Sequence, residues 1–217
     1  ARVRPGPFGG NYENRTRLLK TIITRIREAL PDLLIGVRLS FFDTVPFKTS
    51  METGKPMDFS GHLPYRYGFG VDENDPLQAD FKEPLRLVSE LKEAGVALVN
   101  LSCGSPYSNP PVQRPAIFPP SDGYQPPGDP LVDVVRQIQA TRRCLETVPD
   151  LPIVGTGYTY LQDFLPHVAQ AIIREGWVDF VGLGRMVLSY PEFPADVLAG
   201  RELRRRGICR TFSDCTT

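Results

Sequence analysis

The sequence predicts an α/β fold in which helices and parallel strands alternate along the chain. Short apolar runs of strand length are each followed by a segment whose apolar residues recur at helical spacing. Continuous apolar strands flanked by amphipathic helices are typical of a parallel sheet that is buried on both faces. The chain has 217 residues, of which 41% are hydrophobic, so we expect one domain over 1–217 with a substantial core.

Helical periodicity is clearest near the start of the chain. Leu19, Ile23 and Ile26 lie on one stripe there, and Pro31 marks the end of the helix. The predicted helices are 12–30, 84–94, 130–148 and 160–176.

The predicted strands are short apolar runs between these helices. They are 33–40, 96–102, 151–157 and 178–185. The order is therefore one helix and then four strand–helix units, the last of which ends in a short helical tail.

Two long connections separate these units. The stretch 41–80 is polar and contains glycine and proline, and the loop 103–130 holds nine of the 22 prolines. Loops of this length are usually functional or disordered.

Two architectures fit this order: a doubly wound sheet and part of a (β/α)8 barrel. The barrel is favoured because the strands end in glycine, serine and arginine, and barrel enzymes build their sites at that end. Four strands cannot close such a barrel, so we predict a partial TIM barrel.

Charge and hydropathy exclude some functions. The chain has 25 Lys and Arg and 25 Asp and Glu, which argues against a dedicated nucleic-acid binder. No apolar run is long enough to span a bilayer, and the start does not resemble a signal peptide. We therefore expect a cytoplasmic protein that acts on a small-molecule substrate, with no membrane or nucleic-acid partner.

Glycine-rich turns end the third and fourth predicted strands. GTG at 155–157 and GLGR at 182–185 would let backbone N–H groups approach a phosphate, and Arg185 would add a charge-assisted contact. The alternative is that these glycines only make tight turns into helices. Two such turns with an arginine favour the phosphate, although the dinucleotide fingerprint is absent.

Arg38 lies within an apolar strand, where burial of a charge costs several kcal/mol unless the charge is paired. Either a structural salt bridge or a cation that faces an electron-rich ring or carbonyl would account for it. The second reading is favoured.

No metal or thiol site is predicted. Cys103 reads as a buried thiol before a turn glycine, and no predicted element brings His62 or His167 beside it. Cys209 and Cys215 have C-x5-C spacing, which is too sparse for a zinc or iron–sulfur site.

Several segments together resemble the Old Yellow Enzyme, or NADH:flavin oxidoreductase, family. FGGNYENRTRLL at 8–19 is similar to the family's Y-G-G-S-x-E-N-R segment. Four later segments resemble the family's fifth to eighth strands, namely GVRLS, LVNLSCGSPY, PIVGTGYTYLQ and FVGLGRMVLSYPEFPADVL. A fifth segment, CRTFSDCTT, resembles the carboxy-terminal segment of one bacterial branch.

The resemblance implies an FMN-binding TIM barrel with NAD(P)H as reductant. Arg38 would face the pyrimidine side of the flavin, where a cation stabilises the anion formed at N1 and O2 of the reduced ring. The residues implied to contact FMN are Arg38, Ser102, Cys103, Gly104, Gly155, Thr156, Gly157, Gly184 and Arg185, with the phosphate held by Thr156, Gly157, Gly184 and Arg185. The candidates on the substrate side are the aromatic residues Tyr65, Tyr67 and Tyr107, together with Phe69 and Tyr124.

The chain departs from the family in one large respect. Family members have four strands before the GG-x-x-ENR segment, and those strands bring the pair of histidines, or of histidine and asparagine, that binds the activating group of the substrate. We therefore expect the carboxy-terminal half of an oxidoreductase, without catalytic residues and with little turnover alone. The alternatives are a flavin-free phosphate-binding barrel enzyme and a non-catalytic half-barrel. The half-barrel would cover its unpaired strand edges as a homodimer or by pairing with the missing half.

Overall fold

The computed structural model describes residues 2–50, 53–117 and 123–213. Its strands in chain order are β1 (Gly36–Ser40), β2 (Phe47–Lys48), β3 (Lys55–Pro56), β4 (Leu98–Ser102), β5 (Ile153–Gly155) and β6 (Phe180–Val181). A four-stranded parallel sheet has the order β1-β4-β5-β6, whereas β2 and β3 form a small antiparallel pair inside the predicted loop 41–80. The predicted α/β class with four parallel strands is confirmed.

Seven helices are present in the described residues. They are α1 (Tyr12–Ala29), α2 (Lys82–Glu93), α3 (Pro110–Gln113), α4 (Pro130–Thr147), α5 (Leu165–Arg174), α6 (Arg185–Ser189) and α7 (Phe193–Leu198). Side-chain caps start two of them: Asn11 accepts a hydrogen bond from Asn14 N at 2.9 Å, and Asp129 accepts one from Leu131 N at 2.8 Å. Pro130 occupies the first turn of α4, where the missing N–H costs nothing.

The predicted helix 160–176 is wrong at its start. The chain forms a 3-10 turn over Tyr158–Phe164, interrupted at Gln162 by a φ of 50°, and α5 begins only at Leu165. Pro166 explains this boundary, because proline fits the first turn of a helix and breaks its interior. The predicted strand 178–185 is likewise reduced to the two residues of β6.

One face of the parallel sheet carries all the helix packing. Alternate strand residues, namely Val37, Leu39, Val99, Leu101 and Ile153, join a core with apolar residues of α1, α2 and α4. Val181 of β6 joins a second core with residues of α5. The helices therefore form one layer over one face.

The opposite face of the sheet is uncovered. Leu98 is 40% exposed and Phe180 is 57% exposed, and Arg38 on the same face is also exposed. The prediction of a sheet buried on both faces is therefore wrong. The physical reason is that all the helices of the described chain that pack on the sheet lie on one side of it, so nothing covers the other side.

The ENR segment joins the first two helices. The Arg15 guanidinium donates to both carboxylate oxygens of Glu83, at 3.0 and 2.6 Å, and its Nε donates to Gly10 O at 3.1 Å. Glu13 receives a hydrogen bond from Arg86 at 2.9 Å. This segment thus fixes α1 against α2.

Within the described ranges, no helix combines the length and the apolar character that crossing a bilayer requires.

Candidate functional site

The uncovered sheet face has a polar centre. Arg38 is the register partner of Asn100, and both side chains point to this face. Asn100 Oδ1 has no hydrogen-bond partner among the described residues. Arg38 was predicted to be buried, but it is exposed, so it pays no burial penalty. No carboxylate of the described chain forms a salt bridge with Arg38.

A second set of polar residues lies at the carboxyl ends of β1 and β4. Ser40 Oγ donates to Asp43 Oδ1 at 3.0 Å, and Gly104 N donates to Phe42 O at 2.7 Å. Burial raises the pKa of Asp43, and the hydrogen bond from Ser40 only partly offsets this effect. The loops after the two strands are therefore tied together beside a half-buried carboxyl group.

Ser102 and Cys103 lie under these loops. Both are buried, and Ser102 Oγ lies 3.5 Å from Leu39 O, at the limit of a hydrogen bond. Burial raises the pKa of the Cys103 thiol far above its ordinary value, and the nearby charge of Asp43 raises it further. Burial therefore favours the protonated form of this thiol.

The first glycine turn is a packing turn. A Cβ added at Gly155 would collide with Tyr158 Oη, and one added at Gly157 would collide with the amide of Gln137. Gly157 also has a φ of 94°, which disfavours any side chain. Thr156 Oγ1 donates to Leu101 O at 2.7 Å, so its hydroxyl links β5 to β4. The glycines of GTG at 155–157 are therefore explained by the tight turn that they make, which was the alternative to a phosphate site.

The second glycine turn is different. Gly184 is exposed, and a Cβ added there would have no heavy atom within 4 Å. Its backbone can therefore be approached closely. Arg185, the next residue, is half-buried and donates from Nη2 to Pro115 O at 3.1 Å. Arg185 thus connects the end of β6 to the proline-rich loop that follows β4.

The predicted substrate-side tyrosines do not form one cluster. Tyr65 is buried and its ring contacts Tyr67 at a centroid distance of 5.5 Å, while His62 meets Tyr67 edge-on at 5.8 Å. Tyr107 lies in the other loop and is 95% exposed. Their assignment to a substrate stays a prediction.

Sequence reasoning missed a cavity of about 460 Å³ between the two long loops and helices α3 and α4. It is lined by aromatic side chains and by Asn109 and Asp133, both of which are buried. The sequence holds one signal for it, since Asp133 is a carboxylate on the buried stripe of α4, next to Val134.

Cys209 carries a free thiol and is half-buried, whereas Cys215 lies outside the described residues. The predicted absence of a metal site therefore remains a prediction.

No protein-family model matches the chain. The chain is 26% identical over 200 residues to a protein named NADH oxidase from Thermoanaerobacter brockii. The aligned region covers 92% of this chain and 23% of that protein. The chain is 24% identical over 213 residues to a protein named bilirubin reductase from Mediterraneibacter gnavus (strain CC55_001C). The aligned region covers 98% of this chain and 26% of that protein. The chain thus spans about a quarter of the length of these relatives. Over nearly its whole length it is similar, at low identity, to part of two larger oxidoreductases.

Proposed function

We propose that this chain is the carboxy-terminal half of the FMN-binding TIM barrel of an oxidoreductase. The whole enzyme would pass hydride from NAD(P)H through the flavin to an electron-poor acceptor, such as an activated alkene. The observation that carries the proposal is the uncovered inner face of the sheet, with Arg38 exposed on it. The similarity to two named oxidoreductases supports the reaction class.

The uncovered face supports a half-barrel in particular. Parallel sheets are almost always covered on both faces, and the inner face of a barrel is covered by its other strands. Here the helices lie on one side, and β1 and β6 are edges of the sheet. Leu98 and Phe180 are apolar side chains that a second half would bury.

The residues at this face fit a flavin nucleotide in part. Arg38 offers an exposed cation, and Asn100 has a buried Oδ1 that is without a partner among the described residues. Gly184 leaves room for a phosphate to approach the backbone. By contrast, the side chain of Thr156 and the space beside Gly157 are already occupied by protein contacts.

When bound, FMN would supply the hydride-carrying ring. Arg38 would hold negative charge that develops on the pyrimidine side of that ring, and Asn100 Oδ1 would accept a hydrogen bond from the ring N–H. Gly184 and Arg185 would hold the phosphate through a backbone N–H and a guanidinium charge. The activating groups for the acceptor would come from the other half.

An NMR titration with millimolar FMN tests this proposal, because it also detects the weak binding expected of half a site. We expect shifts at Arg38, Asn100 and Gly184, and an affinity lower by about tenfold or more in Arg38→Gln, since hydrogen bonds to charged groups contribute about 1.5–3 kcal/mol. Arg25→Gln, at an exposed arginine on α1, is the matched control. Binding that is unchanged in Arg38→Gln would overturn the assignment of Arg38.

The open backbone at Gly184 also favours a second candidate, a flavin-free phosphate-binding barrel enzyme. Glycerol phosphate and riboflavin separate the two functions. A flavin site binds FMN more tightly than either compound, whereas a simple phosphate site binds glycerol phosphate as well as FMN.

A further inference from the structure

The cavity between the two long loops and helices α3 and α4 lies apart from the proposed flavin face. Its volume is about 460 Å³. Its described lining includes neither Arg38, Asn100 nor Arg185, and it includes Asp133 and Arg136 of α4. It therefore shares no lining residue with the proposed flavin site, and its use does not depend on the proposed function.

Asn109 provides a buried acceptor in this cavity. The side chain is 1% exposed and lines the cavity, and its Nδ2 donates to Val45 O at 2.9 Å. That bond fixes the amide orientation, and Oδ1 has no hydrogen-bond partner within the described chain. A buried acceptor without a partner destabilises the folded chain, so a ligand that donates to it is favoured.

Asp133 provides a second acceptor. Its side chain is buried, and Arg136 Nη1 donates to Oδ1 at 2.8 Å. Arg136 is itself more than half exposed, and no hydrogen bond to the other carboxylate oxygen of Asp133 is present among the described residues. A donor inside the cavity can therefore use Asp133 while Arg136 stays at the surface.

The walls around these acceptors are aromatic. Phe47 and Tyr124 stack with ring centroids 6.0 Å apart, and Phe42 and Phe81 are 6.2 Å apart. All four line the cavity. Such walls bury an apolar group and attract a cation over their ring faces.

We propose that this cavity binds a primary ammonium compound that carries an aromatic group. The ammonium donates to Asn109 Oδ1 and to the carboxylate of Asp133, and the aromatic group packs between Phe47, Tyr124 and Phe81. Asn109 Oδ1 and Asp133 are both acceptors and Arg136 is already paired with Asp133, so an ammonium is favoured there over a carboxylate of the same shape. The combination of two acceptors with aromatic walls selects both the charge and the shape of the ligand.

Titrations with benzylammonium, benzyl alcohol and benzoate, followed by NMR, test this proposal on the intact chain. We expect benzylammonium to bind with shifts at Asn109 and Tyr124, and to bind about tenfold or more tightly than benzyl alcohol, with benzoate weakest. Binding equal to that of benzyl alcohol would show that only the ring is recognised and would overturn the ammonium assignment. Tighter binding of benzoate, or no binding of benzylammonium, would also overturn it.

Two variants localise the effect. Asp133→Asn should weaken benzylammonium by about tenfold and leave benzyl alcohol unchanged, because a charge-assisted hydrogen bond is lost. Asp150→Asn is the matched control, since Asp150 is exposed and pairs with Lys92 away from the cavity. Asn109→Leu removes the other acceptor. If that variant unfolds because the contact to Val45 is lost, Asp133→Asn alone decides: unchanged benzylammonium affinity in it would contradict the proposal.

Discussion

Arg38 and Asn100 are direct partners in the parallel register of β1 and β4, and both lie on the sheet face that no helix covers. Leu98 is two residues before Asn100 and lies on the same face, with 40% of its side chain exposed. The face therefore combines a cation, an acceptor and apolar groups. Ligand sites commonly combine apolar walls with a few polar groups in this way.

Exposed apolar residues on that face should drive self-association of the chain. We expect the double variant Leu98→Glu and Phe180→Glu to sediment as a monomer at concentrations where the unaltered chain associates, because carboxylates cannot be buried without a partner. Sedimentation velocity over a range of concentrations measures this difference.

Leu198→Glu is the control for this experiment, because Leu198 is an exposed apolar residue at the end of α7, outside the sheet. The Leu198→Glu variant should associate like the unaltered chain. If the unaltered chain is itself a compact monomer at every concentration, the prediction is contradicted.

The order of helices and strands could be predicted from the sequence because apolar spacing reports which side of an element is buried. The same spacing cannot report whether a second layer exists. Arg38 and Phe180 lie in apolar strands, yet both are exposed, since no layer covers their face. An open face is a property of the whole sheet and leaves no mark on any single strand.

The candidate site was predicted in part. GLGR at 182–185 leads to an approachable backbone at Gly184, whereas GTG at 155–157 makes a packing turn against Gln137. The two sequences look alike because glycine serves both purposes. Only the neighbouring side chain, which comes from α4, distinguishes them. The cavity at Asn109 was missed because its walls come from segments far apart in sequence.

The two glycine turns should respond differently to the same substitution. Gly157→Ala should lower the free energy of unfolding by about 1–3 kcal/mol, since the new Cβ collides with Gln137 at a φ of 94°. Gly184→Ala should change it by less than about 0.5 kcal/mol and should weaken FMN binding. Urea denaturation and the FMN titration measure the two effects. Equal destabilisation by both substitutions would refute the distinction.

Acid should weaken the contact between α1 and α2. Burial of Glu83 opposes its ionisation, but hydrogen bonds and charge from Arg15 and Arg2 outweigh burial and lower its pKa below the ordinary 4.5. A lowered folded pKa means that this stabilisation is present above pH 4.5 and is lost as the pH falls through the folded pKa. Glu83→Gln should cost about 1.5–3 kcal/mol at neutral pH and progressively less in acid.

Urea unfolding measured from pH 7 down to acid checks this prediction. Glu93→Gln, at an exposed position of the same helix, should follow the unaltered chain at every pH. A constant difference between Glu83→Gln and the unaltered chain across the whole range would rule out the titration of Glu83.

The cysteines should differ in reactivity. Burial raises the pKa of Cys144 to about 12, and Cys103 is shifted further in the same direction, so both thiols stay protonated and covered. Cys209 is half-buried and free. Iodoacetamide labelling with peptide mapping should modify Cys209 in the native chain, and Cys103 and Cys144 only after denaturation. Fast native labelling of Cys103 would contradict its burial.

The most direct test of the central claim is a crystal structure of the chain with FMN. We predict that the flavin lies on the uncovered sheet face, with its ring beside Arg38 and Asn100 and its phosphate at Gly184 and Arg185. FMN bound elsewhere, such as in the cavity at Asn109, or a sheet face occupied by other parts of the same chain, would contradict the account.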